Sequence, residues 1–289
     1  MRVAVRVPAS AANLGPGFDA LGLALALYDE IDVALAPSGL RVEVQGEGAG
    51  QVPTDERNLV VRALQAACAQ CGLRPDGLVL RCRNSIPHSR GLGSSAAAAV
   101  AGVLAGYALA GMEPDNKALD LAAGFDGHAD NVGASLLGGL VICWKAGQSF
   151  RAARLEPHAD LAPVLLVPEM TSSTEVTRGL LPAQVPHADA AFTAGRAALA
   201  VHALTAAPQL LLAATEDRLH QPYRRVAYPA TGRLVDVLRT AGVPAAVSGA
   251  GPTVLALPAG GELPATVDTA GFTRYRLDVA RDGATVRQG

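Results

Sequence analysis

Apolar residues alternate with polar or small ones over residues 2–7, 31–35 and 40–45, which predicts three early strands. From Asn58 the period lengthens to that of a helix, which reaches Cys71 and has Gly72 as its stop. A strand over 78–83 comes next, then a glycine-rich stretch, then an Ala-rich helix from about Ser94 to Ala110. Helices over 115–123 and 129–136 and a strand over 140–144 follow, and residues 145–163 read as loop. Beyond them the pattern predicts a strand over 164–167 and helices over 174–181, 188–204, 208–219 and 232–241. Strands are predicted over 245–247, 253–257 and 274–279. Strands and helices are mixed without strict βαβ alternation, so an α+β fold is expected rather than a doubly wound sheet. At 289 residues the chain has room for two domains, with the boundary in the loop-rich segment: 1–155 and 156–289.

Composition narrows the function classes. Half of the residues are hydrophobic but only 4% are aromatic, so Ala, Val and Leu must fill the core. The net charge of −2 carries no runs of one sign, which argues against nucleic acid as a partner. The N-terminal stretch alternates like a strand and lacks the apolar run of a secretory signal, so a cytoplasmic protein is expected. Residues 96–112 are uncharged, yet mostly Ala and Gly, and read as a buried helix rather than a membrane span. Cys68 and Cys71 have redox or zinc spacing, but no second pair accompanies them, and they read as helix cysteines in a reducing compartment.

The chemistry sits in three glycine-rich stretches: NLGPGFD (residues 13–19), PHSRGLGSSAAAAV (87–100) and SGAGPT (248–253). In the second, Gly91 and Gly93 free the backbone to approach a phosphate. Ser94 and Ser95 sit at the helix start, where hydroxyls cap N–H groups or ligate a metal and where the helix end favours an anion. No lysine follows, so this is not a Walker A loop, and the glycine spacing is not that of a dinucleotide fingerprint.

Extended to residues 8–22, 87–100 and 248–253, these stretches resemble, in order, the signature motifs of the GHMP kinase superfamily. GHADNVGASLLGG (127–139), TSSTEVTRGLLP (171–182) and LHQPYR (219–224) resemble its homoserine kinase family. The resemblance spans nearly the whole chain. It implies an N-terminal ribosomal-S5-like domain, a C-terminal ferredoxin-like domain and an active site in the cleft between them. It also implies ATP-dependent phosphorylation of the L-homoserine side-chain hydroxyl on the route to threonine, with Mg²⁺, by a homodimer.

The resemblance places ATP on Asn58, Pro87, His88, Ser89, Arg90, Gly91, Leu92, Gly93, Ser94, Ser95, Ala96 and Ala97. It implies Ser95 and Asp126 as metal ligands; relatives usually carry Glu at 126, so the shorter side chain can shift ligation onto a water. Homoserine is a zwitterion. Arg178 and Arg224 suit its carboxylate, Asp19 with Asn13 its ammonium, and His128 and Asn131 its hydroxyl, with Thr174 nearby. Related kinases place an Asp where this chain has Asn131, which cannot accept a proton. Asp130 is expected to be structural, so the resemblance implies that the γ-phosphate or solvent takes the hydroxyl proton. Two rivals stand beside this reading. One is a kinase for mevalonate or a sugar, which gives the two arginines no amino-acid carboxylate to hold. The other is a silent ligand-sensing relative, against which the intact glycine loops and the acidic metal candidate speak.

Overall fold

The computed structural model describes residues 1–289, apart from the side chains of Asn116 and Thr174. β1 (Arg2–Ala12), β2 (Leu21–Ala36), β3 (Gly39–Gly46) and β4 (Gly77–Asn84) belong to a first sheet, in the order β1-β2-β4-β3 with β3 at the edge. β1 pairs antiparallel with β2, and β2 with β4. β3 and β4 run parallel because α1 (Leu59–Gln70) carries the chain back between them. α2 (Ser94–Leu109), α3 (Asn116–Asp126) and α4 (Ala129–Leu137) follow, and α2 and α4 pack against β1. β5 (Leu140–Ala146) pairs with the start of β2, and β6 (Ser149–Leu155) folds back on β5 across a two-residue turn.

The second sheet is antiparallel, in the order β10-β7-β9-β8. Its strands are β7 (Val164–Pro168), β8 (Ala245–Val247), β9 (Val254–Ala256) and β10 (Phe272–Arg276). Between β7 and β8 the chain forms α5 (Thr174–Gly179), α6 (His187–Thr205), α7 (Leu211–Ala214), α8 (Gln221–Arg224) and α9 (Pro229–Thr240). α9 packs on β8 and β9. The last strand, β11 (Thr285–Gln288), returns to the first sheet and pairs with β1. The α+β class is as expected, but the 156–289 segment therefore supplies strands to both sheets.

Three local expectations differ from the structure. The segment read as loop contains β6, whose pairing with β5 is set by its neighbour rather than by its own Arg-interrupted pattern. β2 begins at Leu21, far ahead of residue 31. The helix expected over 208–219 is a 3₁₀ turn followed by α7 alone. Thr215 Oγ1 bonds back to Leu211 O, and the Asp217 carboxylate collects the N–H groups of Leu219, His220 and Gln221, which starts a new turn.

The buried faces join the two sheets. Leu165 and Val167 of β7 belong to the large core that also holds β1, β2 and α2. Val164 and Leu166, pointing the other way, pack with Leu234, Leu238 and Val254. α2 is buried against α1, with Cys68 Sγ against Gly106 O, and burial pushes the Cys68 thiol up to about 11. The cysteines are free thiols, and among the described residues no group of three or more His, Cys, Asp or Glu could hold a metal. Among those residues no helix is long and apolar enough to cross a membrane.

A Cβ at Gly106 would lie 2.6 Å from Ala67 Cβ and 2.7 Å from Leu64 O. Gly106→Ala should therefore destabilise the protein by about 1–3 kcal/mol through overpacking, despite roughly 1 kcal/mol of helix propensity gained. Equilibrium urea unfolding measures it; a midpoint at or above wild type would mean that the helices have room to separate.

Candidate active site

The three glycine-rich stretches meet. Ser248 Oγ donates to Gly91 O at 2.6 Å, Gly249 N–H to Ala12 O at 3.0 Å and Asn13 Nδ2 to Gly249 O at 2.8 Å. Both glycines of the 85–93 loop have positive φ, 75° at Gly91 and 68° at Gly93. The structure changes the reason for them. A Cβ at 91 would overlap Ser248 O, and one at 93 would overlap Ser10 Oγ, so that space belongs to the protein rather than to a ligand. At its start the loop hangs on Asp29, whose Oδ1 accepts from Ser85 N at 2.7 Å and Ile86 N at 3.0 Å. Burial pushes the Asp29 carboxyl up to about 6, against the pull of those two N–H groups.

A cleft of about 310 Å³ opens over the loop. Its walls include Asn13, Asp19, Pro87, Ser89, Arg90, Gly91, Leu92, Gly93, Ser94, Ser95, Asp126, His128, Asn131, Arg178 and Arg224, so most of the expected site residues come together. A second cavity of about 260 Å³, with Val44, Val52, Pro53, Asn58, Val60 and His88, shares Ser89, Ser94 and Ser95 with the first. The first α2 bond runs from Ala97 N–H to Gly93 O, so the N–H groups of residues 94–96 precede the helical ladder at this junction. Ala96 and Ala97 are fully buried and line neither cavity.

Several expected ligands already have structural work. Asn58 Oδ1 caps α1 at Val60 N and Val61 N, and its Nδ2 donates to Pro53 O. The Arg90 guanidinium donates to the carbonyls of Pro168, Glu169 and His88. Asn13 spends its Oδ1 on Asp19 N and its Nδ2 on Gly249 O. Asp19 and Arg178, expected at opposite ends of one ligand, are bonded to each other at 2.7 Å. The Thr174 side chain lies outside the described residues.

Arg224 stands apart. It is 2% exposed, and its Nη1 is 3.4 Å from Gly249 O and 3.3 Å from His220 Nδ1. Its buried Nε has no hydrogen-bond partner among the described residues. Desolvation lowers its pKa from the usual arginine value, yet guanidinium remains a cation at neutral pH. On the opposite wall Gly127 breaks the chain between α3 and α4, so that Asp126, His128 and Asn131 share the cleft. His128 Nδ1 lies 3.6 Å from Asp126 Oδ2, and that carboxylate raises the imidazole pKa. Asp130 is buried, with Oδ1 accepting from Asn131 N at 2.8 Å, and burial pushes its carboxyl up to about 6.

Comparison with known proteins identifies the family of the chain. The family description "GHMP kinases N terminal domain" matches residues 58–139, and "GHMP kinases C terminal" matches 196–267. The chain is 51% identical to the homoserine kinase of Streptomyces avermitilis, covering 98% of this chain and 95% of that protein. It is 52% identical to that of Rhodococcus erythropolis, covering 99% and 96%. The solved homoserine kinase of Cytophaga hutchinsonii superposes with a TM-score of 0.86 at 28% identity, over 99% of this chain and 97% of that one. The chain belongs to the GHMP kinase family. The two-domain GHMP kinase fold, with a cleft between domains, is thereby the fold of this protein.

In and behind this GHMP kinase cleft are residues that sequence reasoning passed over. Ser10, fully buried on β1, donates Oγ–H to Asn131 Oδ1 at 3.1 Å and accepts from Ser135 Oγ. With Oδ1 turned to Ser10, Asn131 has its NH₂ for the cleft it lines. Ser172 and Ser173 line the cleft, and Ser172 N–H donates to Ser89 O. Only their place within the quoted motifs could have marked these serines.

Gly93→Ala tests the loop. A non-glycine residue in the left-handed region costs about 1–2 kcal/mol, and the overlap with Ser10 Oγ adds to that. In a double-mutant cycle, the Gly93→Ala penalty should be smaller in a Ser10→Gly background than in wild type, because the overlap is gone while the backbone strain stays. Chemical denaturation of each variant measures this; a Gly93→Ala protein as stable as wild type would remove Ser10 from contact with the loop.

Proposed function

We propose that the protein transfers the terminal phosphoryl group of ATP to the side-chain hydroxyl of L-homoserine, forming O-phospho-L-homoserine and ADP on the route to threonine. The carrying observation is Arg224, a buried guanidinium in the cleft wall with an unpartnered nitrogen and no carboxylate bonded to it among the described residues. A buried charge is costly unless paired. A substrate carboxylate completes it, with Arg178 beside it and Asp19 for the ammonium. The Asp19–Arg178 bond keeps both half-exposed groups extended until the zwitterion's charges engage them.

The nucleoside lies in the second cavity, and the phosphates pass along Ser89, Ser94 and Ser95, which both cavities share. The N–H groups at the start of α2 hold phosphate oxygens there. Asn131 NH₂ and His128 orient the hydroxyl, and Asp126 fixes the imidazole. An amide is no base, so Asn131 takes no proton and the hydroxyl proton leaves with a phosphoryl oxygen or to solvent. Positioning and charge complementarity carry most of the rate in such transfers.

Asp126 and Ser95 line one cavity and offer one carboxylate and one hydroxyl, a donor set suited to Mg²⁺, which keeps several waters and takes phosphate oxygens. Bound there, the ion would neutralise charge on the transferred group. A homodimer in the cytoplasm, using neither nucleic acid nor membrane, belongs to the same proposal; sedimentation equilibrium tests the dimer.

Measured as ADP release, kcat/KM for L-homoserine should exceed that for mevalonate or galactose by at least ~100-fold, about 2.7 kcal/mol. Comparable turnover of a sugar would sink the assignment. Arg224→Lys keeps the charge but loses the planar fork, and should cost about 1.5–3 kcal/mol in kcat/KM for homoserine, roughly 10- to 150-fold, with KM for ATP little changed. Asp126→Asn should raise the Mg²⁺ concentration for half-maximal rate; an unmoved Mg²⁺ titration takes Asp126 out of the metal site.

A further inference from the structure

Two aromatic residues from opposite halves of the chain sit behind the arginines without lining the cleft. Phe18 is half-buried in the first glycine-rich motif, and His220 is fully buried just ahead of α8. Their rings stack, with centroids 5.0 Å apart and planes at 26°. Both arginines lie against the Phe18 ring, Arg178 Cζ at 5.5 Å from its centroid and Arg224 Cζ at 5.3 Å. We infer that Phe18 and His220 are a positioning pair that aims the two guanidiniums at the substrate carboxylate, an inference resting on the function proposed above.

Two guanidiniums brought to one ligand repel each other. Asp19 relieves Arg178, but no carboxylate is bonded to Arg224 among the described residues. The negative face of an aromatic ring attracts a guanidinium within about 6 Å, and Phe18 serves both. His220 supplies the second constraint. Its Nε2 lies 2.8 Å from Gly15 O and 3.5 Å from Asp217 Oδ2, and Nδ1 lies 3.3 Å from Arg224 Nη1. With the ring proton donated to Gly15 O, Nδ1 is an acceptor and Arg224 donates to it. A charged imidazole would add a third cation, and burial opposes that by lowering the His220 pKa. Arg224 is thus held by a ring and by a lone pair, with Nε left over.

The arrangement predicts an effect that depends on the carboxylate, which distinguishes positioning from bulk support. Steady-state kinetics on wild type, Phe18→Leu, Phe18→Tyr and His220→Phe should use L-homoserine and, in parallel, the carboxylate-free 3-amino-1-propanol. Phe18→Leu keeps apolar volume and loses the π face. It should raise KM for homoserine about 5- to 30-fold while leaving KM for ATP and turnover of the amino alcohol within about twofold. Phe18→Tyr should restore homoserine KM. His220→Phe keeps a ring but loses Nδ1, and should move homoserine KM in the same direction as Phe18→Leu. Equal losses on both acceptors, or an unmoved homoserine KM in a folded Phe18→Leu protein, overturn the pair. Should Phe18→Leu fail to show a cooperative melt, His220→Phe carries the same comparison; failure of both to fold also overturns it, since the rings would then be structural. A wild type that leaves homoserine untouched overturns the functional reading and the pair together. A working wild type matched by its variants overturns the pair alone.

Discussion

Ser248 Oγ donating to Gly91 O, with Ser248 O pressed into the space a side chain would need at 91, is the contact around which the cleft is arranged. It ties a loop of the first half of the chain to one of the second, 157 positions apart. Gly249 then reaches Ala12 and Asn13, so three stretches share one small set of backbone bonds. The approach of Ser248 to Gly91 is possible only because a Cβ is missing. The large core behind them, which takes residues from both sheets, holds the halves at that distance.

The carboxylates of the cleft, Asp19, Asp126 and Asp130, come from the first half of the chain, while Arg178 and Arg224 come from the second and meet the first through the Asp19–Arg178 bond. In the proposed function the glycine loop needs no lysine to hold phosphate, because amides at a helix start supply the positive potential, while Arg90 is bound to carbonyls. Arg224 is buried without a bonded carboxylate among the described residues, which in the proposed function is tolerable because the substrate carboxylate completes the site.

The site was more legible in the sequence than the sheets were. Gly91, Gly93, Ser94 and Ser95 announce themselves because backbone freedom and helix-start chemistry are local properties. Arg178, Arg224, Asp19 and His128 were found through motif resemblance, and the structure brings them into one cleft. What escaped depends on partners far along the chain. Ser10 holds Asn131 from 121 positions away, and apart from its place in the first motif nothing in an alternating strand marks it. β6 and β11 are strands by virtue of β5 and β1, their own sequences being short and arginine-interrupted. The helix drawn through 208–219 failed because Thr215 and Asp217 offer the backbone other hydrogen bonds than a helix does.

β11 has a consequence for the edge of the first sheet. Val3 pairs with Gln288 and Arg6 with Thr285, so β1 has its outer neighbour only when stretches very far apart in the chain meet. Whenever β11 detaches, that edge presents a row of unpaired N–H and C=O groups over Val3 to Arg6. Local opening of one four-residue strand thus exposes the sheet to strand addition by other chains, and its closure is a highly non-local step of folding.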